Sequence, residues 1–292
     1  MRKLLENGYF FEGARWHQGF WWVSDLYAGE VLRVSPEGER KVVANVAAQP
    51  SGLGWLPDGN MLIVSMCDMR ILRLGTDGVL REHADLAPHV GGWTNDMVVD
   101  RNGYAYVSNL GFNMWINEKP TPAKLSCIAP DGVISTVADD LLFPNGMVVS
   151  PDGTTLIVAE TFGNRLSAFT IGEKGSLSNR RVFAEFGPPP SWGSVADFVK
   201  EDFAPDGCAI DAEGCVWVAD ALFNRVCRVA DGGEILQEIR TPDNWGIYSC
   251  ALGGVDGRSL LICSAPDYDQ DKRKAKAEAV LFVQTVDVPA AG

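Results

Sequence analysis

The chain has 292 residues, 46% hydrophobic and 22% charged, an ordinary balance for a chain that buries a sizeable core. Its formal net charge of −13 excludes the phosphate-tracking surface of a nucleic-acid binder, which concentrates Lys and Arg. No stretch approaches the ~18 apolar residues of a membrane span, and residues 1–11 carry charges without a long apolar run, so neither a membrane partner nor a signal peptide is expected.

In chain order, one kind of segment recurs six times: a short apolar run ending in a small or polar residue. The copies are Trp21-Trp22-Val23-Ser24-Asp25, Leu62-Ile63-Val64-Ser65, Tyr106-Val107-Ser108-Asn109, Ile157-Val158-Ala159-Glu160, Trp217-Val218-Ala219-Asp220 and Leu261-Ile262-Cys263-Ser264. Aligned on Val23, Val64, Val107, Val158, Val218 and Cys263, they are spaced by 41, 43, 51, 60 and 45 residues. A period of ~40–50 residues rich in β-branched and aromatic side chains is that of a four-stranded propeller blade.

The flanks repeat too. Pro57-Asp58-Gly59, Asn102-Gly103, Pro151-Asp152-Gly153, Glu213-Gly214 and Asp256-Gly257 precede copies two to six, and several of these pairs supply the positive φ of hairpin turns. Alternating strands follow at residues 31–34, 71–74, 125–128, 166–169, 226–229 and 280–283. The pattern predicts an all-β fold, a six-bladed β-propeller of four-stranded antiparallel blades forming a single domain over residues 1–292. A β-sandwich would not keep six copies in phase. The sixth repeat stops after its third strand, so residues 3–6 are the candidate for its outermost strand. The N-terminal strand would then close the ring and hide the sheet edges.

In such a blade the innermost strand starts beside the central channel, so the starts of six inner strands converge. Counting back from each aligned position gives Glu12-Gly13, Pro50-Ser51-Gly52, Asn95-Asp96, Asn145-Gly146, Asp206-Gly207 and Ser249-Cys250. Four of these offer a carboxylate or carboxamide oxygen: Glu12, Asn95, Asn145 and Asp206. Singly, Asn-Gly and Asp-Gly are ordinary turn pairs. In a shared phase they are the hard oxygen donors that Ca²⁺ or Mg²⁺ takes, two carboxylates balancing the ion's charge and the amides adding oxygen without more.

The chain resembles the senescence marker protein (regucalcin)/gluconolactonase/luciferin-regenerating enzyme family. The motifs that carry the resemblance are Glu12-Gly13-Ala14-Arg15-Trp16, Asn95-Asp96, Phe143-Pro144-Asn145-Gly146 with Ser150-Pro151-Asp152-Gly153, Pro205-Asp206-Gly207 and Cys250-Ala251-Leu252-Gly253-Gly254. The resemblance implies that Glu12, Asn145 and Asp206 ligate one divalent metal, Ca²⁺ first, with Mg²⁺, Mn²⁺, Zn²⁺ or Fe²⁺ as alternatives. It implies that Asn95 binds substrate or a metal water and that Asp206 doubles as the catalytic acid/base in lactone hydrolysis. A cation on a lactone carbonyl stabilises the charge that develops on attack, and a nearby carboxylate takes the proton of water.

One departure bears on the substrate. The sugar-lactone members carry an arginine two residues before Asn95, where this chain has Trp93. Phe112 and Trp115 fall in a segment expected to line the same rim, as do Trp192, Phe198 and Phe203 in the long stretch 187–204, and Trp245 and Tyr248. These point to an apolar or aromatic lactone or ester as the small-molecule partner. Other readings of the same metal site are phosphotriester hydrolysis, isomerisation or C–C cleavage through an enolate, or a calcium-binding propeller without turnover. His17, His83 and His89 lie outside the strand starts and read as surface or packing. The seven cysteines lack CxxC spacing and fit a reducing cytoplasm. Lys272, Arg273, Lys274 and Lys276, beside Asp267, Asp269 and Asp271, read as a solvated loop.

Overall fold

A computed structural model describes residues 1–188, 191, 193–200 and 202–291. Six four-stranded antiparallel sheets follow one another around a channel. From the channel outward, the first blade is Phe11–His17, Phe20–Asp25, Glu30–Val34 and Arg40–Asn45. The second is Pro50–Trp55, Met61–Ser65, Arg70–Leu74 and Leu80–Asp85, and the third Thr94–Val99, Ala105–Asn109, Ala123–Ile128 and Ile134–Leu141. The fourth is Pro144–Val149, Thr155–Glu160, Arg165–Ile171 and Leu177–Glu185, and the fifth Pro205–Ile210, Val216–Asp220, Arg225–Val229 and Ile235–Ile239. Gly246–Gly253, Ser259–Ala265 and Ala279–Thr285 begin the sixth, and Arg2–Gly8 completes it from the other end of the chain.

Burial explains the recurring apolar run. It is the second strand of each blade, sandwiched between neighbouring blades, so in three blades all five of its residues are buried. Such strands lose the alternation of a half-solvated sheet and read as continuous hydrophobic runs. Outermost strands face water and are mostly exposed. The largest fully buried side chains include Trp21, Tyr106 and Trp217, each on a second strand. All seven cysteines are free, and four of the five on strands lie buried among the apolar side chains of the blades. The fifth, Cys263, is buried in the cluster that includes Leu4.

A second regularity is absent from the sequence pattern. Each innermost strand carries a bulge near its start. In the fourth blade Pro144 faces Glu160 and Met147 faces Val158, three steps against two. The same extra residue occurs between Pro50 and Leu53, Thr94 and Met97, Pro205 and Cys208, Glu12 and Arg15, and Ile247 and Ser249. A bulge leaves one residue unpaired and re-aims its side chain.

The basic run departs from expectation. Residues Gln270–Ala275 form a short helix between the second and third strands of the sixth blade. Its Arg273 is buried, held by Asp267 at 3.2 Å and Glu278 at 3.0 Å, because a buried guanidinium requires carboxylate partners. Lys272 and Lys276 do project to water. No helix among the described residues is long and apolar enough to cross a membrane.

Closure has a measurable cost when broken. Arg2 pairs with Val283 and Lys3 with Phe282, and the buried Leu4 packs in the same cluster as Leu281. Leu4→Ala is expected to lower unfolding free energy by about 2–4 kcal/mol in urea. Deleting residues 1–8 should lower the single melting transition of the whole chain. An unchanged melting temperature would show that the closing strand is dispensable.

Candidate functional site

The six bulges bring one side chain each to the channel end at which the inner strands begin. Glu12, Ser51, Asn95, Asn145, Asp206 and Tyr248 all line one cavity of about 110 Å³ that opens to solvent. Glycine follows four of the six, for a steric reason. Gly13 has φ +59°, and a β-carbon there would stand 2.2 Å from the Ser51 carbonyl oxygen; at Gly146 it would stand 2.5 Å from that of Asp206. Inner strands therefore approach one another closely only because these positions lack side chains.

Hydrogen bonds fix the amides. Ser51 Oγ donates to Asn95 Oδ1 at 3.4 Å, Asn95 Nδ2 to Asn145 Oδ1 at 2.8 Å, and Asn145 Nδ2 to Thr161 Oγ1 at 3.0 Å. Thr161 Oγ1 in turn donates to the Pro205 carbonyl at 2.7 Å, one residue before Asp206. The chain links four blades and decides which end of each amide faces inward. Below it, Arg15 spans the channel, its guanidinium on Asp96 at 2.8 Å and on the Ala14 carbonyl at 2.7 Å.

Two carboxylates in this ring repel. Burial pushes the Glu12 carboxyl well above the usual range, and the charges of Asp206 and Asp96 push it further. Asp206 is raised likewise, by burial first and then by Asp96. No Lys, Arg or His lines the cavity among the described residues, so the protein offers the pair no counter-charge within it. Nor is there, among the described residues, a group of three or more His, Cys, Asp or Glu placed to hold a metal ion without the amides. Two carboxylates with amide and hydroxyl oxygens suit a hard divalent cation such as Ca²⁺ rather than the thiolate and imidazole sites of zinc.

The walls are aromatic. Tyr248 and Phe10 have ring centroids 4.7 Å apart, Phe162 stacks on Phe198 at 4.7 Å, and Tyr268 meets Phe198 edge-on at 6.2 Å. Trp115, on the short 3₁₀ turn Met114–Ile116, and Phe198, on the turn Val195–Lys200, reach the cavity from loops above it.

Other expected wall residues stand elsewhere. Trp93 lies behind Trp115, with ring centroids 5.8 Å apart, and does not line the cavity. Phe112 is 1% exposed, packed against Phe143 and Phe162, because the loop that lifts Trp115 turns Phe112 into the core. Phe203 stacks on Phe186 between blades, and Trp245 packs in the sixth-blade cluster. Trp192 lies outside the described residues. His17 stacks on Trp55 at 4.1 Å, and neither it, His83 nor His89 lines the cavity.

Counting back in the sixth blade points to Ser249-Cys250, whereas the bulged residue is Tyr248. Ser249 is buried and accepts from the Ala14 amide at 3.2 Å. Thr161, which orients Asn145, was also outside the sequence pattern, since it sits just past a second strand. No spacing signal marks either residue.

Residues 10–266 match the family described as SMP-30/Gluconolactonase/LRE-like region, and the chain belongs to that family. It is 24% identical over 282 residues to a 6-deoxy-6-sulfogluconolactonase of Pseudomonas putida, covering 93% of this chain and 88% of that one. Among solved structures it is similar to a luciferin-regenerating enzyme, with a TM-score of 0.78, 19% identity, and 98% and 94% of the two chains covered. It is also similar to the calcium-binding protein regucalcin of Agrobacterium tumefaciens, with a TM-score of 0.73, 22% identity, and 98% and 95% covered.

The repulsion between Glu12 and Asp206 has a pH signature. A carboxyl raised on folding binds more protons folded than unfolded between its two pKa values, so stability falls as pH rises through that interval. In chelator, the melting temperature of Asp206→Asn is therefore expected to exceed that of the wild type at pH 8 by about 2–4 °C, the shift that ~1 kcal/mol gives in a domain of this size. The gap should shrink near pH 5. A variant that melts below the wild type at both pH values would show that the pair does not repel.

Proposed function

We propose that the chain is a metal-assisted hydrolase that opens an uncharged apolar or aromatic lactone or ester. The observation that carries this reading is the convergence of two carboxylates, Asp206 buried and Glu12 half-buried, and an amide oxygen beneath an aromatic wall that holds no Lys, Arg or His among the described residues. Family membership supports the lactone chemistry.

In this reading Glu12, Asn145 and Asp206 hold one divalent cation, Ca²⁺ first. When bound, that ion supplies an electrophile for the carbonyl oxygen and offsets the two negative charges. The residues do the rest. Asn95, held between Ser51 and Asn145, presents its amide to the substrate or to the attacking water. Asp206 accepts a proton from that water as it adds to the carbonyl carbon, and returns it to the ring oxygen when the C–O bond breaks. Trp115, Phe198 and Tyr268 bind the apolar body of the substrate and exclude water around it.

The wall sets the substrate class. A sulfo group such as the one in the name of the Pseudomonas relative needs a cationic partner, and no Lys, Arg or His lines the cavity among the described residues; for the several hydroxyls of a sugar the wall offers only the Trp115 indole and a few tyrosine hydroxyls. Burying a hydroxyl without a partner costs roughly 1–3 kcal/mol.

A panel of lactones and aryl esters, assayed with and without chelator, tests this. Aromatic or alkyl lactones are expected to exceed gluconolactone in kcat/KM, and chelation should abolish turnover. Trp115→Ala should lower kcat/KM for aromatic substrates by about 3–10-fold, the equivalent of one ring pair. Asp206→Ala should lower kcat by roughly 10²–10⁴-fold. Efficient gluconolactone turnover would overturn the substrate class, and calcium binding without turnover of any lactone or ester would favour a calcium-binding propeller.

A further inference from the structure

Three buried carboxylates outside the cavity share one place in the repeat. Asp25, Glu160 and Asp220 each stand at the end of a second strand, two residues after the aligned valine, and each is at most 2% exposed. By strand pairing, the same place in the other three blades, opposite Pro50, Thr94 and Ile247, holds Ser65, Asn109 and Ser264. The acids thus occur in the blades that carry Glu12, Asn145 and Asp206, and in no others. A buried carboxylate is costly unless bonded, so the coincidence calls for a physical reason.

The bonds supply one. Asp25 Oδ1 accepts from the Tyr9 and Phe10 amides, both at 3.0 Å. Glu160 Oε2 accepts from the Leu142 amide at 2.9 Å, and Asp220 Oδ1 from the Ala204 amide at 3.1 Å. Phe10, Leu142 and Ala204 lie two or three residues ahead of Glu12, Asn145 and Asp206. Asn109, in the blade whose Asn95 is not one of those three side chains, bonds instead to the Gly111 amide and the Lys124 carbonyl.

Ordinary blade stability does not account for this. Five blades already share a backbone bond at this junction: Leu26 to Phe10, Met66 to Gln49, Leu110 to Trp93, Thr161 to Phe143 and Ala221 to Ala204, at 2.8–3.0 Å. Ion pairing does not account for it either. Glu160 pairs with Arg165 and Arg180, and Asp220 with Arg225, but Asp25 has no cationic partner among the described residues.

We propose that Asp25, Glu160 and Asp220 are positioning residues, each clamping the backbone just ahead of a cation-binding side chain and so fixing the aim of the three oxygen donors. The inference rests on the reading of Glu12, Asn145 and Asp206 as the metal site. Residues that orient metal ligands in this way are worth about 10–100-fold in affinity.

Calcium affinity, measured by calorimetry and by chelator competition on protein purified in excess calcium, tests the clamp without recourse to activity. Asp25→Ala and Asp220→Ala are expected to bind at least about tenfold more weakly, while Asp25→Asn, which keeps an acceptor oxygen, stays within about threefold of the wild type. Asn109→Ala removes the equivalent side chain from a blade without a ligand and should also stay within about threefold. Any clamp variant that folds decides the matter. Wild-type affinity in the alanine variants, or an equal loss in Asn109→Ala, would overturn the clamp while leaving the metal site standing. Absence of calcium binding in the wild type, or its persistence in Asp206→Ala, would overturn the metal site and the clamp with it.

Discussion

One extra residue in each innermost strand governs the chemistry of this propeller. A regular strand sends successive side chains to opposite faces of the sheet, into the gaps between blades, and none along the channel axis. The bulge breaks that alternation once per blade, at the same height, and turns one side chain inward. Six strands bulging toward one axis would collide if all carried β-carbons at that point. The glycines after Glu12, Ser51, Asn145 and Asp206 remove the collision. Backbone geometry therefore comes first, and side-chain identity then decides what the ring can hold.

What it holds is an electrostatic conflict kept in place by the rest of the molecule. Glu12 and Asp206 disfavour each other's charge, and their burial beneath the aromatic wall weakens the solvation that would relieve it. The nearest guanidinium, Arg15, is committed to Asp96 and to backbone carbonyls in the floor. Such sites trade stability for function: the folded chain tolerates an unfavourable pair because many buried second-strand side chains elsewhere carry the fold.

Much of this was legible in the sequence, and the misses have a common cause. The period of the apolar runs, the Asp-Gly and Asn-Gly turns and the unfinished sixth repeat reveal the ring, because burial and turn geometry constrain residue type directly. The strand starts at Glu12, Asn95, Asn145 and Asp206 were legible because a polar residue there interrupts an apolar pattern. Tyr248 was expected at the rim, but the sixth strand start was set one residue late, at Ser249: the sixth inner strand is buried along all its length and has no Asn-Gly or Asp-Gly pair to mark the bulge. Phe112 and Trp93 show a second ambiguity, since an aromatic residue looks the same in sequence whether it faces a cavity or the core behind it. Asp25, Glu160 and Asp220 read simply as the polar ends of strands.

Closure by Arg2–Gly8 also sets an order of events in time. Glu12 belongs to the first blade to leave the ribosome, and Asp206 to the fifth. The strand that seals the first blade against the sixth finds its partner, Ala279–Thr285, only when nearly the whole chain has been synthesised. Pairings this remote in sequence form slowly, and until they do the first blade displays an open flank, with Glu12 solvated and without its neighbours across the channel. In the proposed reading, Glu12, Asn145 and Asp206 come together only when the ring locks, so a cation would bind at that last step rather than guide the first ones.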